Sequence, residues 1–368
     1  MSTKRKNIVL TVLMATVLFS LSFACWFRKP EDFSASERRE LAKFPAMTWN
    51  TVFSGKFVSE FEPYTQDQFP LRDSFRSLKA VTVLGPFCQL DNNRLYMEKG
   101  YISKMEYPLK ETMLDHSAEH FAYLYDTYMA DKDMKVYFSI IPDKNYFLAK
   151  EHGALALDYP ELIDYMRQRT DYMEYIDITG LLDIEDYYRT DTHWRQEKIT
   201  DVAELLGEKM GTSMKAEYKI NTLDQPFYGV YHGQFALPVA PDTLKYLTND
   251  TLDRCTVTGP ETGMPVSVEL YDMGKAEGKD PYEMFLSGTQ PLLIIENPDA
   301  GTEKELILFR DSYGSSLAPL LAEGYAKITV VDTRYVSGSL LGELIEFEDQ
   351  DVLFLYSTML LNNSLAFK

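Results

Sequence analysis

Hydrophobic residues are most concentrated near the start of the chain, where an uncharged run extends over Ile8–Phe27. At about 1.5 Å of rise per helical residue, this run is long enough to cross the ~30 Å hydrocarbon core of a bilayer. Three cationic residues at 4–6 precede it, and cationic flanks favour the cytoplasmic side. The pattern predicts a cytoplasmic tip and transmembrane signal anchor at 1–30, a single pass with the N-terminus in the cytoplasm and the main domain outside.

Two alternatives to an uncleaved anchor stay open. A cleaved signal peptide fits less well, because the run is longer than a usual hydrophobic region and Ser22-Phe23-Ala24 is only a tolerable cleavage site. Cys25 follows Ala24 as a lipoprotein acceptor would, but Ser22 stands where a larger aliphatic residue is expected. Two cations at 28–29, beyond the run, weaken the assignment of orientation.

Aromatic residues at helical spacing mark the next segment. Phe57, Phe61 and Tyr64 repeat at intervals of three or four, and Phe69-Pro70 interrupts before a second helical pattern. We therefore predict an N-terminal helical segment at 31–110.

From residue 111 onward, helical patterns alternate with short apolar runs, which is typical of a parallel sheet covered by helices on both faces. The predicted strands are Lys135–Ile141, Met173–Ile178, Glu305–Phe309, Ile328–Asp332 and Val352–Tyr356. The predicted helices are Glu111–Asp131, Pro160–Arg169, Arg195–Met210, Ser315–Gly324 and Ser339–Phe347. This predicts one doubly wound α/β domain at 111–368. At about 212–298 the alternation stops and pieces such as Phe227–Phe235 and Val266–Leu270 predict a β-rich insertion.

Composition narrows the function classes. Among 368 residues, 37 are Lys or Arg and 56 are Asp or Glu, so the net charge is −19 and nucleic acid is not expected as the main partner. A hydrophobic share of 45% excludes global disorder. The three cysteines give no disulfide framework, since Cys25 lies in the apolar run and leaves only Cys88 and Cys255. His116 and His120, four apart, predict a solvated helical face rather than a metal site, so we expect no metal and no cofactor.

Ser312 is the first candidate for chemistry. It follows the predicted strand Glu305–Phe309 and precedes a helix, within Arg310-Asp311-Ser312-Tyr313-Gly314. At such a turn the serine's own N–H and the helix N-terminus face any oxyanion formed on attack. The alternative is a plain helix N-cap.

Asp191 and His193 are the second candidates. They lie two apart in a turn that precedes the helix beginning near Arg195. This spacing lets the carboxylate accept from one imidazole nitrogen while the other faces a nucleophile. An aspartate cap beside a buried histidine is the alternative. Together, Asp191, His193 and Ser312 form a complete candidate triad.

Several motifs resemble the DHHW proteins and the periplasmic alginate O-acetylation proteins, which are SGNH-hydrolase-like. The motifs that carry the resemblance are Ser36-Glu37-Arg38-Arg39, Phe44-Pro45, Phe69-Pro70, Arg72-Asp73, Pro142-Asp143-Lys144, Asp191-Thr192-His193-Trp194, Asp311-Ser312-Tyr313 and Val331-Asp332-Thr333-Arg334-Tyr335. The resemblance implies an SGNH-like fold in which Ser312 accepts an acyl group and passes it to a polysaccharide hydroxyl, assisted by His193 and Asp191. Tyr313, Arg334 and Lys144 are candidates for binding substrate or the oxyanion.

Two positions depart from the family pattern. Thr192 replaces the first histidine of the tetrad, and Arg310 stands where SGNH hydrolases usually carry glycine.

Two functional hypotheses follow. The first is a membrane-anchored, extracytoplasmic acyltransferase or esterase that acts on a cell-envelope or exopolysaccharide carbohydrate through an acyl-serine, with a membrane acyl-transfer protein as a candidate partner. The alternative is a non-catalytic scaffold or polysaccharide-binding protein with the same fold. The acidic net charge argues against a strongly anionic acceptor unless local cations such as Arg310 and Arg334 outweigh it.

Overall fold

The computed structural model describes residues 3–34, 36–261 and 264–368. The chain forms two compact units, one of residues 1–92 with 232–238 and the other of residues 93–231 with 239–368. Residues 1 and 2 of the predicted anchor segment and 262–263 of the predicted insertion lie outside the described part. The predicted domain boundaries at 30 and 110 stay predictions.

The smaller unit is helical. Its first helix is long and apolar enough to cross a membrane by length and composition. Its elements are α1 (Thr3–Phe27), β1 (Phe33–Ser34), β2 (Arg39–Glu40), α2 (Trp49–Phe53), α3 (Lys56–Asp67) and α4 (Arg72–Leu84). The spacing of Phe57, Phe61 and Tyr64 therefore predicted a helix correctly, and all three rings lie within 6.1 Å of the Phe44 ring, centroid to centroid.

The charged residues of the opening motif form an ion-pair network in this unit. Arg39 donates to both carboxylate oxygens of Asp67, at 2.9 and 2.5 Å. The hydrogen bond from Arg39 lowers the pKa of Asp67. Arg72 lies 3.5 Å from Asp67 and also pairs with Glu37. These motif residues join α3 and α4 to the preceding strands.

The larger unit is built on an eight-stranded sheet. Its strands are β5 (Lys135–Ile141), β6 (Glu174–Tyr175), β9 (Thr256–Glu261), β10 (Met264–Val268), β11 (Leu292–Glu296), β12 (Glu305–Arg310), β13 (Lys327–Val331) and β14 (Asp351–Ser357), in the order β10-β9-β11-β13-β12-β14-β5-β6. The five strands from β13 to β6 are parallel, and β11, β9 and β10 extend the sheet with antiparallel pairs. Two separate hairpins are β3 (Leu95–Glu98) with β4 (Tyr101–Lys104) and β7 (Lys219–Thr222) with β8 (Lys245–Thr248).

Alternate residues of the central strands belong to two different hydrophobic cores, one on each face of the sheet. Leu306 and Leu308 pack on one face, whereas Ile307 and Phe309 pack on the other. Because successive side chains point to opposite faces, a strand buried on both sides becomes continuously apolar. Helices cover both faces, so the predicted doubly wound α/β fold is confirmed. The α-helices that the structure describes after residue 92 are α5 (Glu111–Tyr128), α6 (Lys144–His152), α7 (Tyr159–Arg169), α8 (Thr200–Met210), α9 (Val230–Phe235), α10 (Met273–Ala276), α11 (Gly314–Leu321), α12 (Leu341–Leu344) and α13 (Thr358–Leu361).

Several predicted elements are shorter than their patterns. The strand predicted at Met173–Ile178 pairs only at Glu174–Tyr175, and the helix predicted at Ser339–Phe347 shrinks to one short α-helix after a 3₁₀ turn. The stretch Phe227–Phe235 was wrongly predicted as β-like, since α9 occupies most of it. The region 212–298, predicted as a β-rich insertion, contains β7 to β11, and three of these strands join the main sheet.

The histidine pair on α5 does not form a solvated face. The His120 ring stacks on Phe367 at 4.8 Å, and His116 Nδ1 lies 3.2 Å from Ser364 Oγ. Burial lowers the pKa of His120 to about 4. Both histidines therefore pack α5 against the C-terminal segment, which the local pattern could not indicate.

Candidate active site

Ser312 lies in the turn between β12 and α11, at the carboxyl edge of the parallel sheet, where open α/β sheets bind ligands. Asp311 fixes this turn, because its carboxylate accepts from the N–H of Tyr313 at 3.0 Å and from the N–H of Ser357, in β14, at 2.9 Å. Ser312 itself is only half-buried. The serine is thus held on a hydrogen-bonded turn and keeps part of its surface exposed.

The structure brings all three candidate triad residues together. His193 Nε2 lies 2.8 Å from Ser312 Oγ, and His193 Nδ1 lies 2.6 Å from Asp191 Oδ1. In the tautomer that donates Nδ1–H to Asp191, Nε2 accepts the serine hydroxyl. The arrangement can remove a proton from Ser312 while Asp191 stabilises the resulting imidazolium.

Asp191 is held by more than the histidine. Its Oδ2 accepts from the N–H of Val230 at 2.8 Å, and its Oδ1 accepts from the N–H of His193 at 3.1 Å. The neighbouring Thr190 accepts from the N–H of Gly229 at 2.9 Å through its hydroxyl and from the N–H of Tyr231 at 3.0 Å through its carbonyl. The segment 229–231 therefore fixes the carboxylate against the loop that carries it.

Gly229 allows this close approach. A β-carbon at position 229 would lie 2.4 Å from the N, Cα and Cβ atoms of Asp191. Any side chain would therefore push the aspartate loop away from the glycine. Gly229 is a residue that sequence reasoning missed, because nothing local distinguishes it from other loop glycines.

Tyr282 is a second residue that the sequence did not reveal. Its ring stacks on the imidazole of His193 with centroids 3.8 Å apart and planes 5° apart. Its hydroxyl lies 3.0 Å from Ser316 Oγ and 3.3 Å from the Ser312 carbonyl oxygen. Tyr282 consequently holds the imidazole plane relative to the serine turn.

Tyr313 and Trp194 join the two catalytic segments. The Tyr313 hydroxyl donates to the carbonyl of Thr192 at 2.7 Å, and Trp194 Nε1 donates to the carbonyl of Tyr313 at 3.0 Å. Tyr313 is buried, at 3% exposed. Of the roles considered for Tyr313, this geometry favours holding the His193 loop on the serine turn over binding substrate.

Lys144 also forms its hydrogen bonds with other residues of this chain. Its Nζ donates to the carbonyls of Tyr188 at 2.9 Å and Arg189 at 3.2 Å, and it lies 5.0 Å from the Tyr231 ring centroid. Burial lowers its pKa to about 7. These contacts place Lys144 behind the Asp191 loop as a support.

Arg334 and Arg310 share Asp332, the residue that follows β13. Arg334 binds its carboxylate through two hydrogen bonds, at 2.8 and 2.6 Å, while Arg310 Nη1 lies 3.4 Å from it. Arg310 is 2% exposed, and its Nε and Nη2 have no hydrogen-bond partner within the part of the chain that the structure describes. Its aliphatic stem fills the space beside Gly314. Arg310, which stands where SGNH hydrolases usually carry glycine, thus lies beneath the turn that carries Ser312.

The N–H of Ser312, the backbone donor of the nucleophile itself, is a candidate oxyanion donor. Among the residues that the structure describes, this N–H donates to no carbonyl and to no side chain. It also lies just before the N-terminus of α11, whose dipole favours negative charge. The backbone therefore leaves one donor for an oxyanion formed on the serine.

Solved structures with the same fold were found by comparison. A DHHW family protein from Eubacterium siraeum aligns with TM-score 0.59 and 19% identity, covering 74% of this chain and 92% of its own. Bacillus cereus PatB1 aligns with TM-score 0.58 and 16% identity, covering 73% and 97%, and a further PatB1 structure carries a sulfonyl adduct. The chain has the fold of a DHHW protein.

A weaker match is the O-acetyltransferase domain of Pseudomonas putida AlgJ, with TM-score 0.44 and 13% identity over 73% of this chain and 92% of that one. No protein-family model matches the sequence, and no curated protein does. The matches to the Eubacterium siraeum protein and to PatB1 confirm, for the fold, the resemblance inferred from the motifs.

Proposed function

We propose that this protein is a serine acyltransferase or esterase that acts on a cell-envelope or exopolysaccharide carbohydrate through an acyl-Ser312 intermediate. The observation that supports the proposal most directly is the hydrogen-bonded chain from Asp191 Oδ1 through His193 to Ser312 Oγ, at 2.6 and 2.8 Å. Nucleophile, base and orienting group lie within the reach that proton transfer needs.

In the proposed mechanism, His193 Nε2 takes the hydroxyl proton as Ser312 Oγ attacks the carbonyl carbon of an acyl ester. The Ser312 N–H stabilises the oxyanion, the ester C–O bond breaks, and His193 gives its proton to the leaving oxygen. A second hydroxyl then loses its proton to His193 and attacks the acyl-serine. Ser312 Oγ recovers the proton and the acyl group leaves on the acceptor.

Hydrolysis and transfer share the first half of this mechanism. They differ in whether water or a sugar hydroxyl resolves the acyl-serine. The carbohydrate acceptor and the acetyl group come from the resemblance to the O-acetylation proteins. The helix α1 supports an anchor that places the larger unit outside the membrane, with a membrane acyl-transfer protein as a candidate donor.

The experiment uses the full chain in detergent with p-nitrophenyl acetate, with and without carbohydrate oligomers as acceptors. We expect p-nitrophenol release in the wild type and its loss in Ser312→Ala and His193→Ala, while acetylated oligomer detected by mass spectrometry identifies a transferase. Equal background rates in all three folded proteins would contradict the proposal and favour the scaffold hypothesis.

A further inference from the structure

Helix α4 of the smaller unit carries apolar side chains on its exposed side. They are Leu71, which is the N-cap residue, Phe75, Leu78 and Val81, at intervals of four, three and three. This spacing places them on one side of a helix. Their exposed fractions are 65%, 43%, 59% and 53%. We call these four residues the α4 stripe.

The side of α4 that packs against the smaller unit is largely polar. Arg76 donates to the carbonyl of Gly233 at 2.7 Å, and Arg72 lies 3.5 Å from Asp67. Ala80, on the same side, is fully buried. A surface helix in water normally buries its apolar side and exposes its polar side. Because α4 does the reverse, its stripe is suited to an apolar environment outside the chain.

Hydrogen bonds hold the start of α4 near the end of α1. Glu31, four residues after α1 ends, donates its N–H to Gln68 Oε1 at 2.9 Å, and its carbonyl accepts from Gln68 Nε2 at 2.8 Å. Four residues span at most about 14 Å. Arg28 and Leu71 also line one cleft. The stripe therefore begins close to the point where α1 would leave a bilayer.

Charge and aromatic residues in this unit are compatible with a lipid surface. Residues 28–92 hold nine cations and nine carboxylates, so this segment is neutral, whereas the whole chain carries −19. The negative surface potential of anionic lipids therefore does not repel it. Trp26, at the end of α1, is 84% exposed, and tryptophan is enriched at membrane–water interfaces.

We propose that the α4 stripe lies in the surface of the bilayer that α1 enters, with its apolar side chains between the lipid headgroups and the acyl chains. Helices of this kind insert about 5–10 Å into that boundary. The stripe gives the smaller unit a second membrane contact besides α1. This inference goes beyond the proposed chemistry and rests on the proposed function only for the anchor.

The test measures the depth of the stripe by tryptophan fluorescence, using the full chain at one copy per lipid nanodisc. No second copy and no other membrane protein is then present to cover the stripe. Trp26→Phe and Trp49→Phe remove two of the three tryptophans and leave Trp194, which is fully buried, as a constant background.

New tryptophans then report on two sides of the same helix. Phe75→Trp is the stripe reporter, and Leu78→Trp repeats the measurement if the first variant folds poorly. Asp73→Trp is the matched control, because Asp73 is exposed but does not belong to the stripe. The quenchers are lipids brominated near the headgroup or near the end of the acyl chain, and acrylamide in the water.

We expect the brominated lipids to quench the stripe reporters at least about twofold more than the control, with the shallow bromines most effective at an insertion of about 5–10 Å. The quenching should persist at high salt, because the contact is apolar. Equal quenching of stripe and control reporters, or loss of the difference at high salt, would overturn the inference. A stripe reporter that neither lipid nor acrylamide quenches would also overturn it, since protein would then cover the stripe.

The anchor and the catalysis are checked separately. A chain that keeps Trp26 and carries Trp49→Phe reports the insertion of α1. Quenching of Trp26 by brominated lipid, without quenching of the stripe reporter, would leave the anchor in place and reject the inference. An unquenched Trp26 would reject the anchor and the inference together. Hydrolysis of p-nitrophenyl acetate by the same chains tests the triad, so a failed triad gives a different result.

Discussion

Replacing Gly229 by alanine tests whether the position of Asp191 sets the activity. The new methyl carbon would lie 2.4 Å from three Asp191 atoms, about 1 Å closer than ordinary van der Waals contact allows. The loop must move by about that distance, which breaks or lengthens the 2.6 Å contact between Asp191 Oδ1 and His193 Nδ1. A misplacement of about 1 Å in an active site can cost about 10²-fold in rate.

We therefore expect Gly229→Ala to lower kcat/KM for p-nitrophenyl acetate about 100-fold and to cost about 1–3 kcal/mol of stability from overpacking. Gly180→Ala is the matched control, because no atom lies within 4 Å of a β-carbon built there. Kinetics and urea unfolding are measured on all three proteins. A Gly229→Ala variant with rates within twofold of wild type would refute the reasoning about the loop.

Three further predictions concern neighbouring groups. Tyr282→Leu, which removes the ring 3.8 Å from the imidazole, should lower kcat about three- to tenfold, whereas Tyr282→Phe should stay near wild type; equal rates in both variants would contradict a positioning role. Burial lowers the pKa of Lys144 from 10.5 to about 7, so the unfolded chain binds more protons between these values and stability rises with pH across that window. Unfolding at pH 7 and pH 9 should show that Lys144→Met removes this rise; an unchanged slope would argue against a lowered pKa of Lys144. Burial likewise lowers the pKa of His120 from 6.5 to about 4, so stability falls as pH drops through this range, and His120→Phe should be more stable than wild type by about 2 kcal/mol at pH 5 but not at pH 8. An equal difference at both pH values would point to packing instead.

The central strands and the triad could be predicted because their signals are local. A strand buried on both faces is continuously apolar, as at Lys135–Ile141, whose bounds were predicted correctly. Ser312 follows such a strand, and Asp191 lies two residues from His193. Ser312 follows the carboxyl end of β12, whereas the His193 loop follows no strand of the main sheet that the structure describes. The hydrogen bonds from Tyr313 to Thr192 and from Trp194 to Tyr313 hold these segments together, although His193 and Ser312 lie 119 residues apart.

Other features depend on contacts between distant segments and leave no local signal. The helix predicted from Arg195 begins only at Thr200, because Gln196 is used elsewhere: its amide donates to the Ser316 carbonyl at 2.8 Å and accepts from the N–H of Leu247 at 2.8 Å. Gly229 and Tyr282 are functional candidates only through their contacts with the His193 loop. Hydrophobic spacing also cannot say which strands pair, so the addition of β11 to β13 was not predicted.

For the predicted site residues, too, the position could be predicted from the sequence but the pairing could not. Lys144 and Arg334 were correctly placed at strand ends, but their charges are used by neighbouring backbone and by Asp332. Sequence position indicates which residues reach the edge of the sheet, whereas only the structure shows which of them are already paired.

The acyl-serine itself gives the most direct test of the account. The full chain is mixed with p-nitrophenyl acetate, quenched in acid within milliseconds to seconds, digested and analysed by mass spectrometry; a sulfonyl fluoride serves as a stable second label. We predict one acetyl group on the peptide containing Ser312, formed in the wild type, strongly reduced in His193→Ala and absent in Ser312→Ala. No adduct on that peptide with either reagent, or an equal yield in wild type and His193→Ala, would contradict a nucleophilic serine activated by histidine.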